Sequence, residues 1–312
     1  MMSEASRPDV SVIVPAYNVS RFIARAIASS LEQDGVTVEV VVADDASTDA
    51  TAETVARIAA DDPRVRLLRA ERNGGAGVAR NRALAAARGR WMAVLDADDA
   101  FAPGRLARLL RLADAEGFDA LSDLPVLYDL VAGEPGPYQL EATGDLEAVT
   151  LRRLLETTVD PDAKLNYGML KPVFRRELVD LGTWRYPEEA RHGQDFLAYF
   201  HAIRQGARYG LIHEARYVFS TRLGQISGRY SPGSVTPVNY RGIAADTRRL
   251  MARVRTEGLS APDIGTDEIV EMLGRRLALM QNLDRTYGWN TLWLGPRRRH
   301  LDWLRRDPRN AL

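Results

Sequence analysis

Hydrophobic and polar positions follow two different periods in the first third of the chain. Nearly continuous apolar runs have the composition of buried strands; they are Val10–Val14, Val38–Val42, Val65–Leu68 and Trp91–Leu95. Between these runs, and again after the fourth, apolar residues recur every three or four positions, as they do on helices with one buried face. This alternation predicts an α/β fold with a mostly parallel, Rossmann-like central sheet flanked by helices.

The pattern is less regular beyond Asp119. Further strands are expected at Leu121–Leu130, Val173–Phe174 and Tyr209–Ile212, and helices at Leu146–Thr157 and from Asp195 to Arg204. Composition rich in Gly and Pro predicts loops at Val131–Gly144 and Thr221–Pro237, and two more helices are expected at Tyr240–Thr256 and Asp267–Asp284. We therefore predict an α/β domain over residues 1–220, followed by a flexible loop and a helical C-terminal region over residues 221–312.

Composition and charge exclude several classes of protein. Forty-two Lys and Arg balance forty-two Asp and Glu, so bulk nucleic acid is not expected as the main partner. The absence of Cys excludes thiolate metal sites and Cys nucleophiles. No run reaches the ~18 apolar residues of a membrane helix, and the polar N-terminus does not resemble a signal peptide. We expect a cytoplasmic protein with at most a peripheral contact to the inner face of the plasma membrane.

The segment 297–306 combines several Arg with Trp303 and two Leu, and two interpretations of it remain open. It is either an interfacial helix that touches anionic lipid, or a terminal helix that packs its Trp on the domain.

Acidic side chains cluster where the second and fourth predicted strands end. Asp44 and Asp45 follow the second strand, and Asp96, Asp98 and Asp99 follow the fourth. The carboxyl ends of parallel strands meet at one edge, where open α/β sheets bind ligands. Three carboxylates within four residues repel one another unless a cation lies between them, and Mg²⁺ or Mn²⁺ prefers such oxygen ligands. A solvated acidic turn before the next helix is equally compatible with this spacing.

A glycine-rich segment, Asn73–Asn81, precedes the helix after the third strand. Its glycines could offer backbone N–H groups to an anion, and Arg80 adds a guanidinium that can bind phosphate through two hydrogen bonds. Gly75 and Gly77 imitate the start of a dinucleotide fingerprint, but Arg80 stands at the third glycine position and the segment follows the third strand instead of the first. Binding of a nicotinamide dinucleotide is therefore disfavoured.

Taken in order, these segments resemble the family-2 nucleotide-sugar glycosyltransferases, which have the GT-A fold. The resemblance is carried by Val10–Asn18 (VSVIVPAYN), Val42–Asp49 (VADDASTD), Asn73–Asn81 (NGGAGVARN), Trp91–Asp99 (WMAVLDADD) and Gly193–Asp195 (GQD). A further segment, Asn166–Arg175 (NYGMLKPVFR), resembles the subgroup that builds bacterial exopolysaccharides of the succinoglycan type.

The resemblance implies how a donor is bound. Pro15, Tyr17 and Asp45 would line a uridine pocket, and Arg80 would reach toward the diphosphate or the base. The implied activity is transfer of a sugar from a UDP-sugar to a saccharide or lipid-linked saccharide, in the synthesis of a bacterial exopolysaccharide or cell-surface glycan.

The resemblance also implies a metal and a base. Asp96 and Asp98 would form a D-x-D pair that binds the nucleotide-sugar and Mn²⁺ or Mg²⁺, with Asp98 as the direct ligand. Asp195 would be the catalytic base of an inverting displacement, although without the resemblance a plain helix N-cap is the favoured interpretation. The family usually has Glu before that Asp. Gln194 stands there in this chain, which removes one negative charge and puts in doubt any acceptor contact that needs the Glu carboxylate.

Two other functions remain open from the sequence. A nucleotidyltransferase could use the same acidic edge to bind a nucleoside triphosphate, although no Gly-rich basic loop follows the first strand. A non-catalytic sugar-nucleotide-binding module is suggested by Gln194 alone.

Overall fold

A computed structural model describes residues 7–129, 133–135, 140–160, 163, 165–190, 193–221 and 239–285. In this part of the chain the strands are β1 (Val10–Ala16), β2 (Val38–Asp44), β3 (Val65–Arg69), β4 (Trp91–Val94), β5 (Ala100–Phe101), β6 (Ala120–Asp129), β7 (Glu134–Pro135), β8 (Leu146–Ala148), β9 (Val173–Arg175) and β10 (Tyr209–Thr221). The helices are α1 (Ile23–Leu31), α2 (Thr51–Asp61), α3 (Ala76–Ala86), α4 (Arg105–Glu116), α5 (Leu151–Val159), α6 (Arg176–Asp180), α7 (Gln194–Arg204), α8 (Tyr240–Glu257) and α9 (Thr266–Leu283).

One mixed sheet, in the order β3-β2-β1-β4-β9-β6-β10-β5, runs through the molecule. Its first four strands are parallel, as predicted, because each is joined to the next by a helix that crosses over the sheet. Antiparallel β9 then lies between β4 and β6, and β10 runs parallel to β6. The predicted α/β fold is confirmed. Strands β9, β6, β10 and β5 continue the sheet on the far side of β4.

Both faces of the sheet are buried. Along β1, Ile13 belongs to one hydrophobic cluster, whereas Val12 and Val14 belong to another. Since successive side chains of a strand point to opposite faces, these two clusters are the two sides of the sheet. The near-continuous apolar runs seen in the sequence follow from this double burial.

Three expectations for the irregular half need correction. The helix predicted at Leu146–Thr157 begins only at Leu151, because Leu146–Ala148 pairs with β10 as a strand and the Thr150 side chain caps the helix by accepting from Arg153 N. The strand expected at Tyr209–Ile212 continues to Thr221, since it pairs with β6 over most of its length. The loop predicted at Val131–Gly144 contains the short strand β7, while residues 130–132 and 136–139 lie outside the described part.

Helix α9 packs on α5 and on α8. Leu250 and Val254 of α8 and Leu273 of α9 share one hydrophobic cluster with Leu151 and Leu154 of α5. The predicted loop at Thr221–Pro237 lies outside the described residues from 222 onward, so the domain boundary after residue 220 stays a prediction. The Arg- and Trp-containing tail also lies outside them. In the described ranges no helix is both long enough and apolar enough to cross a membrane.

Gly89 and Gly274 offer a matched test of the packing around β1. A Cβ on Gly89 would come within 2.8 Å of Ser11 Oγ and closer still to the Ser11 backbone, whereas a Cβ on Gly274, within α9, would meet nothing within 4 Å. We expect Gly89→Ala to lower the free energy of unfolding by about 1–3 kcal/mol through overpacking. Gly274→Ala should raise it by up to about 1 kcal/mol through helix propensity. Urea denaturation measures both; equal effects would contradict this packing.

Candidate active site

The predicted acidic segments meet at one edge of the sheet. The parallel pairing of β1 with β2 and β4 places Tyr17, Asp45 and Asp96 just beyond the carboxyl ends of three adjacent strands. Pro15 lies within β1, opposite Ala43, and like Tyr17 it is partly buried. The edge therefore carries the nucleotide-binding candidates together, as the sequence predicted.

Asp45 holds the glycine-rich segment against β2. Its carboxylate accepts hydrogen bonds from Gly74 N at 2.9 Å and Gly75 N at 2.7 Å. These two N–H groups are therefore bound by the protein, which corrects the expectation that they are offered to an anion. The turn after β2 also carries backbone strain, because Ala46 adopts a φ of 62°, where a side chain is unfavourable.

Gly77 allows α3 to approach the start of α7 closely. A Cβ there would lie 2.9 Å from Gln194 Nε2 and 3.0 Å from Pro187 O. The close approach lets Arg80, one turn further along α3, donate to Gln194 Oε1 at 3.1 Å. Gly77 thus serves helix packing and not a dinucleotide.

Four charged side chains form a closed, alternating cluster beside the acidic edge. Arg80 lies 2.7 Å from Asp96 and 3.7 Å from Asp195. Lys171 lies 2.6 Å from Asp195 and 3.2 Å from Asp96. Both cations are buried, so each carboxylate faces two positive charges in a region of reduced screening. We call these four residues the charge cluster.

The charge cluster keeps Asp96 ionised. Burial alone would raise the pKa of Asp96, but the charges of Lys171 and Arg80 outweigh it and hold that pKa well below its usual value. Burial likewise opposes the charge on Lys171, yet Asp195 and Asp96 raise the pKa of its ammonium group. Asp96 and Lys171 are therefore both charged at neutral pH.

Asp195 lies in the first turn of α7, after Gly193 in the left-handed conformation. Its Oδ2 is bound by Lys171, whereas its enclosed Oδ1 accepts no hydrogen bond from the described part of the chain. One oxygen is thus fixed and the other retains its lone pairs, as a general base requires.

Gln194 is bound at both ends of its amide. Oε1 accepts from Arg80, and Nε2 donates to the Ala190 carbonyl oxygen. A carboxylate could not donate to that carbonyl. The neutral amide therefore fits the local hydrogen bonding, and it orients the Arg80 guanidinium toward the two carboxylates.

Asp99 fastens the acidic turn to β10. Its carboxylate accepts from the Tyr217 hydroxyl at 2.7 Å and from Ser220 N at 2.9 Å. Burial, with the nearby charges of Asp98 and Asp96, raises the pKa of Asp99 well above its usual value. We assign Asp99 a structural role on these contacts.

Lys171 is the site residue that the sequence did not single out. It lies between a 3₁₀ turn at Tyr167–Met169 and β9, and its carbonyl oxygen accepts from Arg105 at 2.6 Å. Arg105 is itself bound to Asp123 by three hydrogen bonds, and both of these side chains are fully buried. The available signal was its position in the segment that resembles the exopolysaccharide subgroup, in a chain that has only one other Lys.

In the described residues, no group of three or more His, Asp or Glu side chains could hold a metal ion unaided. The chemistry of the acidic turn nevertheless fits Mg²⁺ or Mn²⁺, which commonly bind through one or two carboxylates together with substrate phosphates. Both oxygens of Asp96 already contact cations, so a metal ion would have to compete with Arg80 and Lys171 there.

Comparison with known proteins agrees with the family resemblance of the sequence. The family model described as Glycosyl transferase family 2 matches residues 11–178, more than half of the chain. Among curated relatives, succinoglycan biosynthesis protein ExoO of Rhizobium meliloti (strain 1021) is 41% identical over 220 residues, covering 70% of this chain and 63% of ExoO. Succinoglycan biosynthesis protein ExoU of the same strain is 36% identical over 240 residues, covering 73% of this chain and 67% of ExoU.

Solved structures show the same architecture. The crystal structure of S. aureus TarS 1–349 in complex with UDP-GlcNAc aligns with a TM-score of 0.67 at 24% identity, covering 88% of this chain and 74% of that chain. At this level of identity the match shows a shared fold. The predicted GT-A architecture is thereby confirmed.

The charge cluster predicts a pH-dependent stability effect for Lys171→Met. We expect the substitution to lower the free energy of unfolding by about 3 kcal/mol at pH 7, because it leaves two partly buried carboxylates with one cation fewer. The lowered pKa of Asp96 stabilises the fold above the pKa of unfolded Asp and ceases to do so as the pH falls toward its folded value. The difference from wild type should therefore shrink below about pH 4.

Arg64→Met is the control for this measurement. Arg64 pairs with Asp62 at 2.7 Å on the surface, where such pairs contribute about 0–1 kcal/mol. Urea denaturation at pH 7 and pH 3 compares the two variants. A loss for Lys171→Met that is as small as the control, or the same at both pH values, would contradict the charge cluster.

Proposed function

Because this chain belongs to glycosyl transferase family 2, we propose that it transfers a sugar from a UDP-sugar to a saccharide or lipid-linked saccharide acceptor in bacterial exopolysaccharide or cell-surface glycan synthesis. The names of ExoO and ExoU, which concern succinoglycan biosynthesis, support this class of product. The TarS complexes with UDP-GlcNAc and with UDP support a uridine nucleotide as the carrier. The chain spans less than two thirds of the length of ExoO.

The observation that carries the proposal is the arrangement of Asp195. The carboxylate lies beside Asp96 through their shared contacts with Arg80 and Lys171, and one of its oxygens is left without a hydrogen bond. Since Asp96 follows β4 at the donor edge, a base beside Asp96 would be placed to reach the hydroxyl that attacks the sugar.

The donor would occupy the edge formed by β1, β2 and β4. Pro15, Tyr17 and Asp45 would line the uridine pocket, in which the Tyr17 ring can stack on the base. Asp45 keeps acceptor capacity after binding two N–H groups, because an ionised carboxylate has about four lone-pair sites. Arg80 and Asp96 would lie on the side of the transferred sugar.

A divalent ion would be held by Asp98, with Asp96 nearby, and by the donor diphosphate. Bound there, Mn²⁺ or Mg²⁺ would stabilise the negative charge of the departing UDP. Arg80 and Lys171 add fixed positive charge beside the same turn, so the protein itself contributes to the potential felt by the diphosphate.

In the reaction, an acceptor hydroxyl oxygen attacks the anomeric carbon while the bond from that carbon to the UDP oxygen breaks. Asp195 takes the hydroxyl proton, and the bonding electrons leave with UDP. A single displacement inverts the anomeric configuration, so an α-linked donor gives a β-linked product. Gln194 does not favour a non-catalytic module, because its amide orients Arg80: Oε1 accepts from Arg80, and Nε2 is held by the Ala190 carbonyl oxygen.

Asp195→Asn tests the base directly. In a panel of UDP-, GDP- and dTDP-sugars with Mn²⁺, we expect the wild type to release the nucleoside diphosphate fastest from UDP-sugars. In Asp195→Asn that release should fall by roughly 100-fold or more, the usual contribution of a general base, while UDP still binds in calorimetric titration. Asp267→Asn, an exposed carboxylate in the first turn of α9, is the matched control. Turnover at the wild-type rate in Asp195→Asn would refute the assignment of the base.

Asp98→Ala tests the metal. We expect Mn²⁺ to strengthen UDP binding to the wild type, because Asp98 and the diphosphate would both supply oxygen ligands to the ion. This gain should disappear in Asp98→Ala and persist in Asp62→Ala, which removes a surface carboxylate. Calorimetric titrations with and without Mn²⁺ provide the measurement. An undiminished gain in Asp98→Ala would show that the ion is held elsewhere.

A further inference from the structure

Arg276, on α9, is a buried cation that has no carboxylate partner in the described part of the chain. Its side chain contacts are a hydroxyl and an aromatic ring: Nε lies 3.4 Å from Thr247 Oγ1, and the guanidinium carbon lies 3.9 Å from the centre of the Phe196 ring. The residue is only 5% exposed. A charge removed from water in this way destabilises a fold unless something else offsets the cost.

Arg105, a fully buried guanidinium, shows the contacts that a structural role requires. Arg105 forms three hydrogen bonds with Asp123, so that its charge is balanced inside the protein. Arg276 has one long bond to a neutral hydroxyl. Its charge is thus not explained by the contacts that hold the fold together.

Arg276 lies directly behind the turn that presents Asp195. A Cβ on Gly193 would be 3.5 Å from Arg276 Nη2, and Gly193 precedes Gln194 and Asp195 at the start of α7. The positive end of the α7 dipole makes this an unfavourable place for a cation and a favourable one for an anion.

We propose that Arg276 binds a phosphate group of the acceptor. This inference rests on the proposed function: the acceptor would bring its hydroxyl to Asp195, and Arg276 Nη2 lies beside Gly193, two residues before Asp195. A guanidinium presents paired N–H donors that match a phosphate, and the desolvated setting strengthens the interaction. Burial lowers the pKa of Arg276 to about 10, so the side chain remains a cation at neutral pH.

The test is calorimetric titration of the full chain with inorganic pyrophosphate in EDTA, where no metal ion can bridge the anion to Asp98. We expect wild type to bind pyrophosphate and Arg276→Met to bind it at least about tenfold more weakly, the loss of one bidentate ion pair. Arg276→Lys should be intermediate, because it keeps the charge without the planar fork. Arg248→Met removes an exposed Arg from the neighbouring helix α8 and should bind as wild type does.

Thermal denaturation of the same variants separates binding from folding. Arg276→Met should have a Tm at or above that of wild type, because an unbalanced buried charge is removed, whereas Arg105→Met should be strongly destabilised because Asp123 loses its partner. A Tm of Arg276→Met that is lower than wild type by more than about 5 °C would assign Arg276 a structural role and overturn the inference.

Two further results would also overturn it: no binding of pyrophosphate by the wild type, or equal binding by wild type and Arg276→Met. Farnesyl diphosphate, titrated in the same way, distinguishes a lipid-linked phosphate from free phosphate. Binding weakened by Arg276→Met supports the acceptor assignment, and failure to bind overturns it. None of these titrations uses a sugar donor, so a failure here is distinguishable from failure of the donor panel, which tests the glycosyltransferase activity itself.

Discussion

The alternation of Arg80, Asp96, Lys171 and Asp195 is the interaction on which the rest of the site depends. The four side chains come from α3, the turn after β4, the segment before β9 and the start of α7. Each charge, buried for the two cations and partly buried for the two carboxylates, has two opposite neighbours, which is the condition under which charges can be removed from water without a large net cost. The cluster therefore joins the donor-binding half of the sheet to the helix that carries the proposed base.

Hydrogen bonds with residues outside the charge cluster hold the cluster in place. Asp45 fastens the turn that leads into α3, and Asp99 fastens the acidic turn to β10. Gln194 orients Arg80, while Arg105 holds the backbone of Lys171. Groups supported in this way are preorganised, so little reorganisation is needed when the charge of a departing diphosphate develops. Arg276 differs from these side chains, because no carboxylate in the described part of the chain balances its charge.

The sequence predicted the parallel half of the fold and the acidic edge because both depend on local periods and on where strands end. It did not predict that Gly74 and Gly75 bind Asp45, since the partner of a backbone N–H depends on tertiary structure. Lys171 was missed for the same reason: it is far from Asp96 along the chain and meets it only through the antiparallel strand β9. The helix expected from Leu146 was shortened because pairing with β10 outweighed helix propensity there.

The central claim is that Asp195 activates an attacking oxygen on the face of the sugar opposite to UDP. Proton NMR of the anomeric signal, recorded immediately after wild-type enzyme is mixed with the α-linked UDP-sugar that it hydrolyses, tests this without a known acceptor. Water activated by Asp195 should release the β-sugar first, and the α-anomer should then accumulate only at the rate of spontaneous mutarotation. Release of the α-sugar first would show attack from the same face as the leaving group and would contradict the mechanism.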